Sequence, residues 1–64
     1  MEFDIVIKQG KEEALSFKVR YGTVLQTFLT QKGLNGQVTN MYGKPIPEGL
    51  TLRGPTTFIL NPSS

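Results

Sequence analysis

The chain has 64 residues, no cysteine, no histidine, and seven Lys and Arg against five Asp and Glu, a formal net charge of +2. That length permits one domain with one core, which buries roughly 60% of the unfolded surface and leaves a stability of only a few kcal/mol. Composition excludes disulfide staples and thiolate or imidazole metal sites, so packing, hydrogen bonds and turn chemistry must hold the fold without them.

The first element is F-D-I-V-I, in which Phe3, Ile5 and Ile7 alternate with Glu2, Asp4, Val6 and Lys8. Period two with β-branched residues predicts a half-buried strand. A polar loop with Gly10 follows, and L-S-F-K-V-R-Y then alternates again, with Leu15, Phe17, Val19 and Tyr21 opposite Ser16, Lys18 and Arg20. Together these make a β-hairpin. Its register follows from two constraints. Pairing Ile7 with Leu15, Ile5 with Phe17 and Phe3 with Val19 gathers the apolar residues on one face. The same register sets Asp4 opposite Lys18 and Glu2 opposite Arg20, two favourable cross-strand pairs.

The period then changes. In T-V-L-Q-T-F-L-T-Q-K-G-L, residues Val24, Leu25, Phe28 and Leu29 form one helical stripe, which predicts a helix over 24–32. Thr23 with Gln26 three residues on has the pattern of a capping box. Gly33 suits a left-handed C-terminal position, with Leu34 returning to Leu29 in a Schellman ending. Lys32 stands at the negative end of the helix dipole.

Asn35 and Gly36 signal a turn, and Q-V-T-N-M-Y reads as a short strand ended by Gly43. G-K-P-I-P-E-G predicts an irregular connection holding at most one short edge strand, because Pro45 and Pro47 have no N–H for a ladder. L-T-L, a turn at R-G-P and the strand T-T-F-I-L complete the chain, with the last strand expected at the centre of the sheet. The order is β-β-α-β-(β)-β, an α+β fold with a mixed sheet and one helix packed across one face.

This arrangement resembles the β-grasp superfamily, and within it the bacterial sulfur carriers and ubiquitin-like proteins. The likeness spans nearly the whole chain. It runs through the helix opening T-V-L, the strand and turn V-T-N-M-Y-G-K-P-I-P, and the ending G-L-T-L-R-G-P-T-T-F-I-L. Carriers and conjugated modifiers end in a flexible Gly-Gly tail, because the terminal carboxylate threads a narrow channel where only glycine is fully permissive. Here Pro62 precedes Ser63 and Ser64, and four residues beyond Leu60 reach only about 14 Å when extended. Sulfur-carrier or modifier chemistry is therefore the alternative expectation and not the leading one. RNA-contacting modules and immunoglobulin-binding bacterial domains share the same plan, so the fold does not fix the function.

No residue type needed for common acid–base or thiol catalysis is present as His or Cys. Glu12 and Glu13 in the hairpin loop read as solubilising charge, and the seven glycines fall at turns without Walker spacing. No catalytic residue, cofactor or metal is expected. The cations are dispersed from Lys8 to Arg53, and Glu2 and Asp4 oppose Lys18 and Arg20, which disfavours RNA or single-stranded DNA even if Tyr42 offers a stacking ring. Acidic residues stand near the N-terminus where a secretory signal is basic, and no apolar run approaches the ~20 residues of a membrane span. A monomeric cytoplasmic protein that binds another protein is the resulting expectation. The binding surface is the open sheet face or a strand edge, with Val6, Lys18, Arg20, Tyr42 and Lys44 as candidate partner-binding residues and 43–49 as the exposed rim. Which residues of the later strands face outward stays open: one of Val38 or Met41, and one of Tyr42 or Ile59.

Overall fold

A computed structural model describes residues 1–10 and 13–61. Glu12, one half of the acidic loop pair, and the tail at 62–64 lie outside the described residues. The elements are β1 (Glu2–Gln9), β2 (Leu15–Arg20), α1 (Leu25–Gln31), β3 (Gln37–Asn40) and β4 (Thr56–Asn61). The strands form one four-stranded sheet in the order β2-β1-β4-β3. β1 pairs antiparallel with β2 and parallel with β4, and β3 pairs antiparallel with β4, so the sheet is mixed and the fold is α+β.

The hairpin register is the one that alternation and charge dictate. Phe3 faces Val19, Ile5 faces Phe17 and Ile7 faces Leu15, while Glu2 faces Arg20 and Asp4 faces Lys18. Ile5, Ile7 and Val19 are buried with Leu25 and Leu29 of α1, Val38 of β3 and Phe58 and Leu60 of β4. The helix thus covers one face of the sheet. At its margin, the Phe17 and Phe28 rings meet edge to face at 5.3 Å between centroids, and the Lys32 ammonium sits 5.6 Å from the Phe28 centroid.

The two ends of α1 are built differently. The C-terminal end follows local chemistry: Gly33 takes φ 72, the Leu34 N–H donates to the Leu29 carbonyl at 2.9 Å, and the Gly33 N–H donates to the Thr30 carbonyl at 3.1 Å. These are the paired bonds of a Schellman ending. Lys32 is the C-cap residue itself, just past the last turn.

The N-terminal end departs from the capping-box expectation. Val24, not Thr23, occupies the N-cap position, and no side chain caps the helix. The Thr23 hydroxyl instead donates back to the Arg20 carbonyl at 2.7 Å. The first helical N–H is satisfied from elsewhere in the chain, with Leu25 donating to the Leu50 carbonyl at 3.0 Å. Two further bonds extend this contact, Gly22 N–H to Leu52 carbonyl at 2.7 Å and Leu52 N–H to Thr23 carbonyl at 2.8 Å. A tertiary strand-like tie has displaced the side-chain cap, because both satisfy the same orphan donors.

β3 ends at Asn40, two residues before the alternation suggests, and Met41 and Tyr42 lie in a turn. The Asn40 side chain is the cause. Its Oδ1 accepts from the Tyr42 N–H at 2.8 Å and the Lys44 N–H at 3.0 Å, while the Gly43 N–H donates to the Asn40 carbonyl at 3.0 Å. An asparagine that binds the backbone ahead of it turns the chain, and Gly43 supplies the left-handed φ of 81. The optional edge strand within 43–49 reduces to one isolated bridge, Thr39 with Pro45, and a second bridge, Val24 with Thr51, lies beyond that segment.

Leu52 is 2% exposed and carries the backbone tie as well as its side-chain packing. Leu52→Ala is expected to cost about 2–5 kcal/mol, read as a fall in the urea midpoint. Gly33→Ala forces a Cβ into the left-handed region and should cost about 1–2 kcal/mol in the same measurement.

Candidate functional site

Alternation along each strand decides what the uncovered face presents. From β1 it carries Glu2, Asp4, Val6 and Lys8, since Ile5 and Ile7 point into the core. Register extends this across the sheet. Val6 lies between Ser16 of β2 and Thr57 of β4, and Ile59 lies between Lys8 of β1 and Thr39 of β3. Val6 and Ile59 are half-buried, and Thr39 is buried between Ile59 and the bridge to Pro45. The centre of the face is therefore a small patch of Val, Ile and Thr side chains, flanked on the β2 side by rows of opposed charge.

Of the sequence-derived candidates, Val6, Lys18 and Arg20 fall together on this face. Tyr42 and Lys44 do not join them. Both lie in the turn after β3, at the far side of the sheet from β2, which is about 14 Å away at three strand spacings. Tyr42 is 87% exposed there. The open alternatives also resolve: Val38 belongs to the core, Met41 is exposed in the turn, and Ile59 is the open-face residue. Thr57 and Ile59 were readable in principle from T-T-F-I-L, because burying Phe58 and Leu60 obliges their neighbours to face out.

Lys18 and Arg20 stand in register with Asp4 and Glu2. Each cation already has an acid beside it, so the face lacks the unopposed basic stripe that tracks a phosphate backbone.

The two sheet edges differ. At β2, the Tyr21 N–H donates to the Met1 carbonyl at 3.0 Å. In an antiparallel pair, bonded and non-bonded positions alternate, which turns the N–H and C=O groups of Val19, Phe17 and Leu15 toward β1. Those of Ser16, Lys18 and Arg20 point out of the sheet. The Arg20 carbonyl is used by the Thr23 N–H at 3.1 Å and the Thr23 hydroxyl at 2.7 Å. Among the described residues, nothing pairs with the outward groups of Ser16 and Lys18. At the β3 edge, the expected rim at 43–49 is partly folded back on the strand. The Asn40 N–H donates to the Lys44 carbonyl at 2.9 Å, and Pro45 bridges Thr39.

A cleft of about 170 Å³ lies beside that rim, lined by Gln26, Gln37, Val38, Ile46 and Glu48 among others. Ligand pockets generally run from about 300 to 1,000 Å³, so it is small for one. Among the described residues, no group of three or more Asp and Glu is placed to hold a metal ion. Among the described residues, no helix is long and apolar enough to cross a membrane. Compared with protein-family models and with curated proteins, the chain matches none.

The Asn40 turn separates the two groups of candidates, so its removal is diagnostic. Asn40→Ala deletes an acceptor used twice and should cost about 1 kcal/mol. Hydrogen exchange at the Tyr42 and Lys44 amides should accelerate, while that of β1 amides follows only the global change.

Proposed function

We propose that this chain is a small β-grasp domain, similar in plan to ubiquitin-like and sulfur-carrier proteins, that works without catalysis by binding another protein. What supports the fold assignment is the hairpin–helix–strand order, with the first and last strands parallel at the centre and the helix on one side. The observation that carries the functional reading is the uncovered sheet face. Its Val6, Thr57 and Ile59 patch is flanked by Lys18 and Arg20, a mixture of a small apolar centre and charged rim that suits a protein partner. Tyr42 and Lys44 on the distant turn form a separate exposed group in this reading and are not part of the same contact.

Affinity capture from the native host, followed by mass spectrometry, tests the reading when variants are run in parallel. Lys18→Glu with Arg20→Glu should reduce capture of the principal partner at least tenfold, and Val6→Thr should weaken it, with the urea midpoint of each variant close to that of the parent. Tyr42→Ala should leave capture unchanged. Retention of the partner by both face variants would place the contact elsewhere. Salt-sensitive retention of oligonucleotides, or an adenylated C-terminus after incubation with an activating enzyme and ATP, would replace the reading with the nucleic-acid or carrier alternative.

A further inference from the structure

We propose that the Asn35–Gly36 pair is a self-modification site, at which the chain converts Asn35 into aspartate and isoaspartate and so loosens the start of β3. This site is independent of the protein-binding reading and lies in the turn between α1 and β3. The step is intramolecular. The Gly36 backbone nitrogen gives up its proton to hydroxide and attacks Cγ of Asn35, the Cγ–Nδ2 bond breaks, and ammonia leaves. Water then opens the succinimide that results. Opening at the former side-chain carbonyl yields aspartate. Opening at the backbone carbonyl yields isoaspartate, in which the main chain runs through Cβ and Cγ. One water is consumed and one ammonia released, with no other reactant.

The asparagines at 35, 40 and 61 differ in what this step needs. Asn35 is exposed and Gly36 half-buried. Among the described residues, neither the Asn35 side chain nor the Gly36 N–H has a hydrogen-bond partner. Gly36 also carries no side chain to hinder the approach. The chain is anchored on both sides of the pair, by the Leu34 N–H bond to the Leu29 carbonyl at 2.9 Å and by Gln37 in register with Asn61. The two reacting residues fall in the gap between those anchors. Asn40 is the opposite case. Its Oδ1 holds the Tyr42 and Lys44 N–H groups at 2.8 and 3.0 Å, and the bulkier Met41 follows it. Asn61 precedes Pro62, whose nitrogen has no proton to lose.

The products act on β3 through its length and its charge. Isoaspartate adds one methylene to the main chain between Leu34, packed against the core, and Val38, inside it. A slip of a whole residue would turn Val38 out of the core, and one methylene is less than a residue, so the end of the ladder has to give way. The Asn40 N–H points outward to the Lys44 carbonyl at 2.9 Å. Alternation along β3 therefore turns the Gln37 N–H toward β4, which makes it the ladder bond nearest the added atom. Gly36, Gln37 and Val38 also line the small cleft beside Ile46, so its wall shifts with them. Either product adds one carboxylate and lowers the formal net charge of +2 by one.

The test incubates the full chain in mildly acidic and mildly alkaline buffer beside the free peptide Leu-Asn-Gly-Gln-Val. Peptide mapping by mass spectrometry and methyl transfer by an isoaspartyl methyltransferase are the readouts. Asn35 should convert within tenfold of the peptide rate, faster in alkaline buffer, and at least tenfold faster than Asn40, with isoaspartate among the products. The purified isoaspartate form should show accelerated exchange at the Gln37 amide, while β1 amides follow only the global change. Asn35→Gln should accept no methyl groups and should keep its Gln37 protection over the same incubation. Conversion more than tenfold slower than in the peptide, or no faster than at Asn40, overturns the proposal, because the fold then shields the pair. Unchanged Gln37 exchange in the isoaspartate form overturns it as well, since the modification would then leave β3 intact. If Asn35→Gln fails to fold, the comparison of Asn35 with Asn40 inside the parent chain still decides.

Discussion

The parallel pairing of β1 with β4 is the constraint on which the rest of this structure depends. It sets Ile7 beside Phe58 and Gln9 beside Leu60, and so joins the first strand of the chain to the last. Parallel neighbours cannot be linked by a tight turn; the chain between them has to cross over a face of the sheet. The chain from β2 to β3 makes that crossing, with α1 on the one face it covers, and β4 then returns beside β1. With no cysteine and no histidine in the chain, the entropy of closing so long a loop is offset by burial of Ile5, Ile7, Phe58 and Leu60 and by the ladder they share.

A second tie controls the crossover. Residues 22–25 and 50–52 exchange three backbone hydrogen bonds of 2.7, 2.8 and 3.0 Å, placing Leu52 in the core although it belongs to no named strand. Without that contact, the start of α1 and an irregular stretch with two prolines would both leave buried backbone groups unpaired. One set of bonds serves both. It also frees Thr23, whose hydroxyl closes the turn after β2 by binding Arg20.

The crossover makes the surface unequal. One sheet face is covered by the helix; the other carries a modest apolar centre and rows of matched charge. One edge is partly closed by the Asn40 turn and the Pro45 bridge, whereas among the described residues nothing pairs with the outward groups of Ser16 and Lys18 on β2. The proposed binding role follows from this asymmetry, with Val6, Thr57 and Ile59 at the centre of the open face and Lys18 and Arg20 beside them.

Local chemistry in the sequence by itself determined the hairpin and its register, because alternation and the Asp4–Lys18 and Glu2–Arg20 rows agree on a single pairing. It determined the helix stripe and its Schellman ending, which need only residues within one turn of Gly33. For the candidate surface, it placed Val6, Lys18 and Arg20 on a common face, since period two requires no knowledge of the partner strand beyond the hairpin. Only the tertiary structure decided that Leu50 would cap the helix in place of Thr23, that β3 would stop at Asn40 and carry Tyr42 and Lys44 away from that face, and that β2 would be the open edge. Propensity and turn signals act over a few residues, whereas these three outcomes depend on which distant backbone groups satisfy one another.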